Sequence, residues 1–177
     1  MKAALVLMFF MVFFISAVVR AEDGASKPDA KVEASLMIDA PVEQVWDQSL
    51  DVPSWPEWIG IVQRASFKGQ ALRLGSTFKI TIKVKGIPLP FKLTVCEYDE
   101  HKRIAWRTGG SGTGLVIVRS LIYEDQGGKT LVTSREEFTG PMAKYMFRMI
   151  SEDEFTSIHE EWLKDIKERV EGKREGP

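Results

Sequence analysis

The chain of 177 residues has no asparagine, a single cysteine, Cys96, and two histidines, His101 and His159. Each shortage excludes something. Without asparagine there is no N-x-[ST] acceptor for glycosylation. One cysteine cannot close an internal disulfide, so the fold must be held by packing alone. Two histidines and one thiol are too few donors for a metal centre, and neither a metal nor an organic cofactor is expected. An excess of one charge is missing too: 24 Lys and Arg stand against 25 Asp and Glu. That balance argues against nucleic acid as a partner, because such affinity rests on Lys and Arg clustered opposite phosphates. No G-x-S-x-G elbow marks an activated serine. The stretch "GGSGTG" (109–114) lacks both the G-x-G-x-x-G spacing and the G-K-[ST] ending of a phosphate loop. It precedes a strand and reads as a hairpin turn, of the kind that can gate a cavity mouth.

A long apolar run occurs once, from Ala3 to Val19 and interrupted only by Ser16, between Lys2 and Arg20. A basic start, an apolar middle and the ending Val19-Arg20-Ala21 describe a secretory signal peptide over 1–21, and an exported protein, periplasmic or extracellular. The run is also near the ~18 residues that a spanning helix needs, so the alternative is a membrane anchor formed by residues 3–19. Membrane contact is expected only through this segment. Cleavage would remove Lys2 and Arg20 and leave 22 basic against 25 acidic residues, a net charge of −3. Residues 22–30 are small, polar and non-periodic, a flexible tether. One domain is expected over 31–172, with a disordered tail at 173–177.

Within that domain the periods are clear. "VEASLMID" (32–39) alternates as a half-buried strand. Pro41 then opens a helical pattern through Val42, Val45, Trp46 and Leu50, which Pro53 ends. A second short helix or turn forms around Trp55 and Trp58. In "STFKITIKVKG" (76–86), Phe78, Ile80, Ile82 and Val84 face one way and Lys79, Lys83 and Lys85 the other. Residues 91–98 and 103–107 alternate similarly, and 115–124 and 129–138 pair across "DQGG". These are antiparallel strands with one wet face. At the end, Ser151 and Glu154 form a capping box before the stripe Phe155, Ile158, Trp162, Ile166 and Val170 on a helix of about five turns. Only that helix is long enough to cover the sheet. The fold class is therefore α+β, a curved antiparallel β-sheet wrapped around a long C-terminal helix, with two short helices after the first strand. A sheet curved around one cylinder rarely closes on it completely, and a cavity is the expected by-product.

Three stretches carry a family resemblance. "IDAPVEQVWDQSLDVPSWPEW", "LRLGSTFKITI" and "FTGPMAKYMFRMISEDEFTSIHEEWLKDIKERVE" resemble the opening, the central strand and the final-helix entry of the START-like or Bet v 1-like (SRPBCC) superfamily. Within it, they are most similar to the polyketide cyclase/dehydrase and lipid-transport group. The resemblance covers about residues 31–172. It implies a helix-grip fold around a hydrophobic pocket and does not imply one reaction, since members include lipid carriers, hormone binders and aromatase/cyclases.

The function expected on these grounds is binding or carriage of a small hydrophobic or lipid-like ligand. The expected cavity wall is Trp58, Phe78, Ile80, Ile82, Phe91, Leu93, Trp106, Phe155, His159 and Trp162. Trp55 reads as core, whereas Trp58 suits core and pocket wall equally. His159 flanks the apolar stripe, either as a polar handle or base in the pocket or as a residue at the helix–sheet edge. Arg119 interrupts an apolar strand whose two faces are equally apolar, so parity cannot say which way it points. If inward, it must meet a carboxylate or a ligand head. His159 and Arg119 are accordingly the candidate catalytic pair of the alternative reading, a cyclase, dehydratase or hydrolase using the same cavity. His101 reads as a solvated turn residue, and Cys96 as an idle thiol on the outer side of its strand.

Overall fold

The computed structural model describes residues 28–110 and 112–172. The expected signal peptide or anchor, residues 22–27 of the tether, and the tail at 173–177 lie outside the described residues. Seven antiparallel strands form one sheet: β1 (Ala30–Ile38), β2 (Val62–Phe67), β3 (Thr77–Val84), β4 (Ile87–Asp99), β5 (Arg103–Gly110), β6 (Leu115–Asp125) and β7 (Thr130–Thr139). Their order across the sheet is β1-β7-β6-β5-β4-β3-β2. After β1 come α1 (Val42–Ser49), a 3-10 turn (Val52–Ser54) and the one-turn helix α2 (Trp55–Trp58). After β7 come α3 (Ala143–Met149) and the 20-residue α4 (Glu152–Glu171). The curled sheet grips α4, the expected helix-grip arrangement.

Local chemistry explains the boundaries. Ser151 accepts from the Glu154 backbone N–H while the Glu154 carboxylate accepts from that of Ser151, closing the capping box. Gly172, left-handed at φ 71°, terminates α4. The apolar face of α4 buries Phe155, Trp162, Leu163, Ile166 and Val170, with His159 among them. Pro41 is the N-cap of α1, with extended backbone (ψ 150°), so the helix starts at Val42.

Two features differ from expectation. Strand β2 was not expected, because only Val62 in "VQRASF" is buried and an edge strand with one anchored residue shows little periodicity. Strand β4 begins at Ile87 instead of 91, running through Pro88 and Pro90. Proline is tolerated there because this half of β4 pairs with β3 alone, from Thr77↔Thr94 to Val84↔Ile87. Pairing with β5 covers only Thr94↔Arg107 to Asp99↔Arg103. The prolines at alternate positions put their missing N–H groups on the unpartnered side. Between the first half of β4 and Thr108–Gly110 of β5 the sheet is therefore split by a seam.

The interior falls into two apolar clusters. The larger joins Trp46, Trp55, Trp58, Phe78, Trp106 and Trp162 to the C-terminal half of α4, and the smaller gathers Val32, Phe138, Ala143, Met146 and Phe155.

Candidate functional site

Between the two clusters lies a chamber of about 180 Å³. Strands β3 and β4 supply Ile80, Ile82, Leu89, Phe91 and Leu93 to its wall. Strands β5 and β6 supply Trp106, Leu115 and Ile117, and the two C-terminal helices with the link between them supply Met146, Met149, Ile150, Phe155, Ile158 and Trp162. Lys85 and Thr108 are also on the wall, and Arg119 and Glu136 complete the polar side chains that line it. For scale, an apolar protein cavity of about 150 Å³ stays dry and takes up benzene.

Of the ten residues expected on the wall, seven are there: Ile80, Ile82, Phe91, Leu93, Trp106, Phe155 and Trp162. Three are elsewhere. Trp58 is buried in the larger cluster, its indole N–H donating to Ser54 Oγ at 2.9 Å, which ties the ring to its own turn. Phe78 sits one layer behind the wall, edge-on to both Trp55 and Trp106. His159 is 0% exposed, and both ring nitrogens are engaged by β7 side chains.

That engagement is the main polar construction of the interior. Strand β6 directs Leu115, Ile117, Arg119 and Leu121 inward, so Arg119 points into the fold, where it is 8% exposed. Its Cζ lies 4.2 Å from the centroid of the Trp162 ring, a cation–π contact. Its Nε and one terminal nitrogen donate to Ser134 Oγ at 3.3 and 3.2 Å. Ser134 Oγ lies 2.8 Å from His159 Nδ1, and His159 Nε2 lies 3.2 Å from Glu136 Oε2. One proton arrangement satisfies the whole chain. The serine oxygen already accepts from Arg119, so its hydrogen goes to Nδ1 and the Nε2–H of a neutral ring donates to the Glu136 carboxylate.

Electrostatics agree with that tautomer. Burial, reinforced by the positive charge of Arg119, pushes the His159 pKa below its ordinary value against the pull of Glu136. For Glu136, burial alone would raise the pKa. The His159 hydrogen bond and the Arg119 charge outweigh it and hold the carboxyl below its usual range. Glu136 and Arg119 are direct cross-strand partners, and the Glu136 side chain is 18% exposed. The Trp162 indole N–H is buried without a hydrogen-bond partner among the described residues.

Neither Ser134 nor Glu136 was singled out from the sequence. Within "TSREEF" the neighbouring Arg135 turns outward to Glu33 at 2.6 Å. Aligning the inward parity of Val132 and Phe138 would have placed Ser134 and Glu136 inside.

The sign of the pH dependence follows. In the unfolded chain His159 takes up a proton as pH falls through about 6.5, while the folded protein resists doing so. Stability is expected to decline as pH drops below that point, and again as pH falls from the ordinary carboxyl range to the lowered pKa of Glu136. His159→Gln should flatten the first decline, a difference read from urea midpoints between roughly pH 7 and 5.

The family model described as polyketide cyclase/dehydrase and lipid transport matches residues 29–171, nearly all the described chain. The chain belongs to this family. No curated protein matches it significantly by sequence. Among solved structures it is similar to a protein of Thermus thermophilus, with TM-score 0.66 at 17% identity over 82% of this chain and 99% of that one. It is similar also to a START superfamily protein from Mycobacterium smegmatis, with TM-score 0.65, 15% identity and coverages of 80% and 97%. A third is the Zhui aromatase/cyclase of a Streptomyces species, with TM-score 0.60, 13% identity and coverages of 81% and 92%. At these identities the likeness is one of fold.

In this member of the family the chamber adjoins an outer groove of about 540 Å³. Phe91, Thr108, Leu115, Ile117, Met146 and Met149 line both. Pro90 and Lys92 stand on one side of the seam, and Arg107 and Gly109 on the other. Thr113, in the expected hairpin turn, borders the groove and accepts from the Gly110 N–H at 3.1 Å. Gly109 has φ 81° and no space for a Cβ beside the Leu115 carbonyl, so the turn requires glycine there.

Proposed function

We propose that the protein is an exported carrier for a small hydrophobic ligand bearing one neutral polar head. The observation carrying this reading is an apolar chamber with one inward pair of opposite charges, Arg119 and Glu136, on its wall, the third charged lining residue, Lys85, being exposed and paired with Glu154 at 2.7 Å. Burying about 200 Å² of ligand surface contributes about 5 kcal/mol before the costs of ordering. The charge pair sets the head. Arg119 has N–H groups beyond the two used on Ser134, and Glu136 Oε1 has no partner among the described residues. The two charges offset each other, so a hydroxyl or carboxamide, which both donates and accepts, fits better than an ionised group. Export rests on the Ala3–Val19 run with its basic flanks.

Native mass spectrometry of protein from its own compartment should show a co-purifying mass, and the neutral dye N-phenyl-1-naphthylamine should bind and be displaced by it. Ile117→Trp, which puts an indole into both chamber and groove, should weaken dye binding about tenfold or more. Protein that is always empty, with no dye uptake, would refute the carrier.

A catalytic reading draws on the imidazole–carboxylate contact and on the aromatase/cyclase likeness. His159 has no access to the chamber, so Glu136 would have to be the base. A carboxyl held below its ordinary range is a weak base near neutral pH. The pair is better suited to recognition than to proton transfer.

A further inference from the structure

We infer that the outer face of β2–β5 is a docking surface for an anionic lipid bilayer, which seats the open seam against the membrane. From residue 58 to residue 96 the chain carries seven Lys and Arg and no acidic residue, although the whole chain is charge-balanced. The fold gathers four of these bases, together with Arg107 of β5, on one side. Arg64 pairs with Thr81, Lys79 stands opposite both Ser66 and Lys92, Lys83 opposite Pro88, and Arg107 opposite Thr94. All five bases are exposed, and none has an ion-pair partner among the described residues.

Two details show that this face is more than solvated lysine. Lys79 and Lys92 are direct cross-strand neighbours, an arrangement that destabilises a sheet unless something anionic lies over it. The turn leading from β2 into β3 carries Leu74, 68% exposed and next to Arg73, with Lys68 at the start of the same turn. An apolar side chain among bases is suited to an interface of headgroups over hydrocarbon.

Lys92 and Arg107 flank the seam, so the basic face surrounds the opening of an apolar groove. Nucleic acid would meet the charge and have no use for the groove; an anionic bilayer matches both. This rests on the carrier reading for what crosses the seam, and not for the docking itself.

The test is competition of the full chain between neutral phosphatidylcholine vesicles and vesicles containing phosphatidylglycerol. Every variant keeps the same N-terminal run, so the preference reports the folded face. Anionic vesicles should be preferred about tenfold or more at roughly 0.1 M salt, and the preference should vanish near 1 M, where charges are screened within ~3 Å. Lys79→Glu with Lys83→Glu should reduce the preference about tenfold, whereas Lys129→Glu with Lys164→Glu, an equal charge change elsewhere, should retain it. If the first pair unfolds the protein by circular dichroism, Lys79→Gln with Lys83→Gln should still lower the preference about threefold. Dye uptake without vesicles is read in parallel, so failed docking and an empty chamber are separate results. Equal partition between vesicles, equal loss in both charge-reversal pairs, or tighter binding of duplex DNA than of anionic vesicles at the same salt would each overturn the proposal.

Discussion

Trp55→Ala is expected to destabilise the domain by about 3–5 kcal/mol, a large share of the ~5–15 kcal/mol that holds a typical domain together. Trp55 is fully buried and touches three rings: Phe78 at 5.7 Å, Trp106 at 5.9 Å and Trp162 at 5.2 Å between centroids. Its indole N–H donates to the Ser49 carbonyl at 2.9 Å, which fixes the end of α1 over the cluster. Alanine would remove the apolar contacts, leave a void behind two chamber-wall tryptophans, and strand that carbonyl. Trp55→Phe keeps a ring and should cost less, about 1–2 kcal/mol, mainly for the lost hydrogen bond. Urea unfolding measures both. A loss under about 1 kcal/mol for alanine would mean that the cluster does not depend on this ring. The same variant enlarges the space beside the chamber, so it should take up a bulkier dye than the wild type does.

Why two tryptophans and two prolines crowd "PSWPEW" is thus a matter of packing. The turn delivers Trp55 into the space between sheet and α4, and Trp58 caps its own turn through Ser54. The resemblance gave the fold because its landmarks (the entry to α1, the capping box, the long stripe of α4) are local signals that tertiary context did not override. The chamber wall was legible wherever a strand alternates strictly, as in β3 and at Phe91 and Leu93 of β4. It failed at Phe78, where parity is right but depth is not, because a period of two says which face a side chain takes and not which layer of the core it fills. It failed at His159 for a related reason: facing the sheet is not facing the chamber. The Ser134–Glu136 half of the polar chain was hidden because its meaning arises only once β6 is laid beside β7. The basic outer face was hidden by averaging, since an overall charge near zero concealed a long acid-free stretch.

Arg119→Met should also cost about 3–5 kcal/mol, for a different reason from the tryptophan. It leaves Glu136 ionised beside an apolar chamber, with its cross-strand counter-charge gone and Ser134 without its donor. Burial would then act on Glu136 with less opposition, its pKa should rise, and the acid-side loss of stability that Glu136 contributes should shrink. Glu136→Leu alone leaves the converse problem, a guanidinium without an anion. The combined variant removes both charges, and replacing a buried pair with apolar groups is often neutral or stabilising. It should recover the charge penalty and stay about 1–3 kcal/mol below the wild type, the cost of leaving the buried His159 Nε2–H without its acceptor, giving a large coupling energy in the double-mutant cycle. That result alone would say that the charges themselves are not retained for stability. Ligand binding supplies the other half: naphthalene should bind the double variant as well as the wild type, while 2-naphthol, the same body with a hydroxyl head, should lose its advantage over naphthalene. If 2-naphthol keeps that advantage after both charges are gone, Arg119 and Glu136 do not read the ligand's head, and the charge pair must be explained by the packing of β6 against β7.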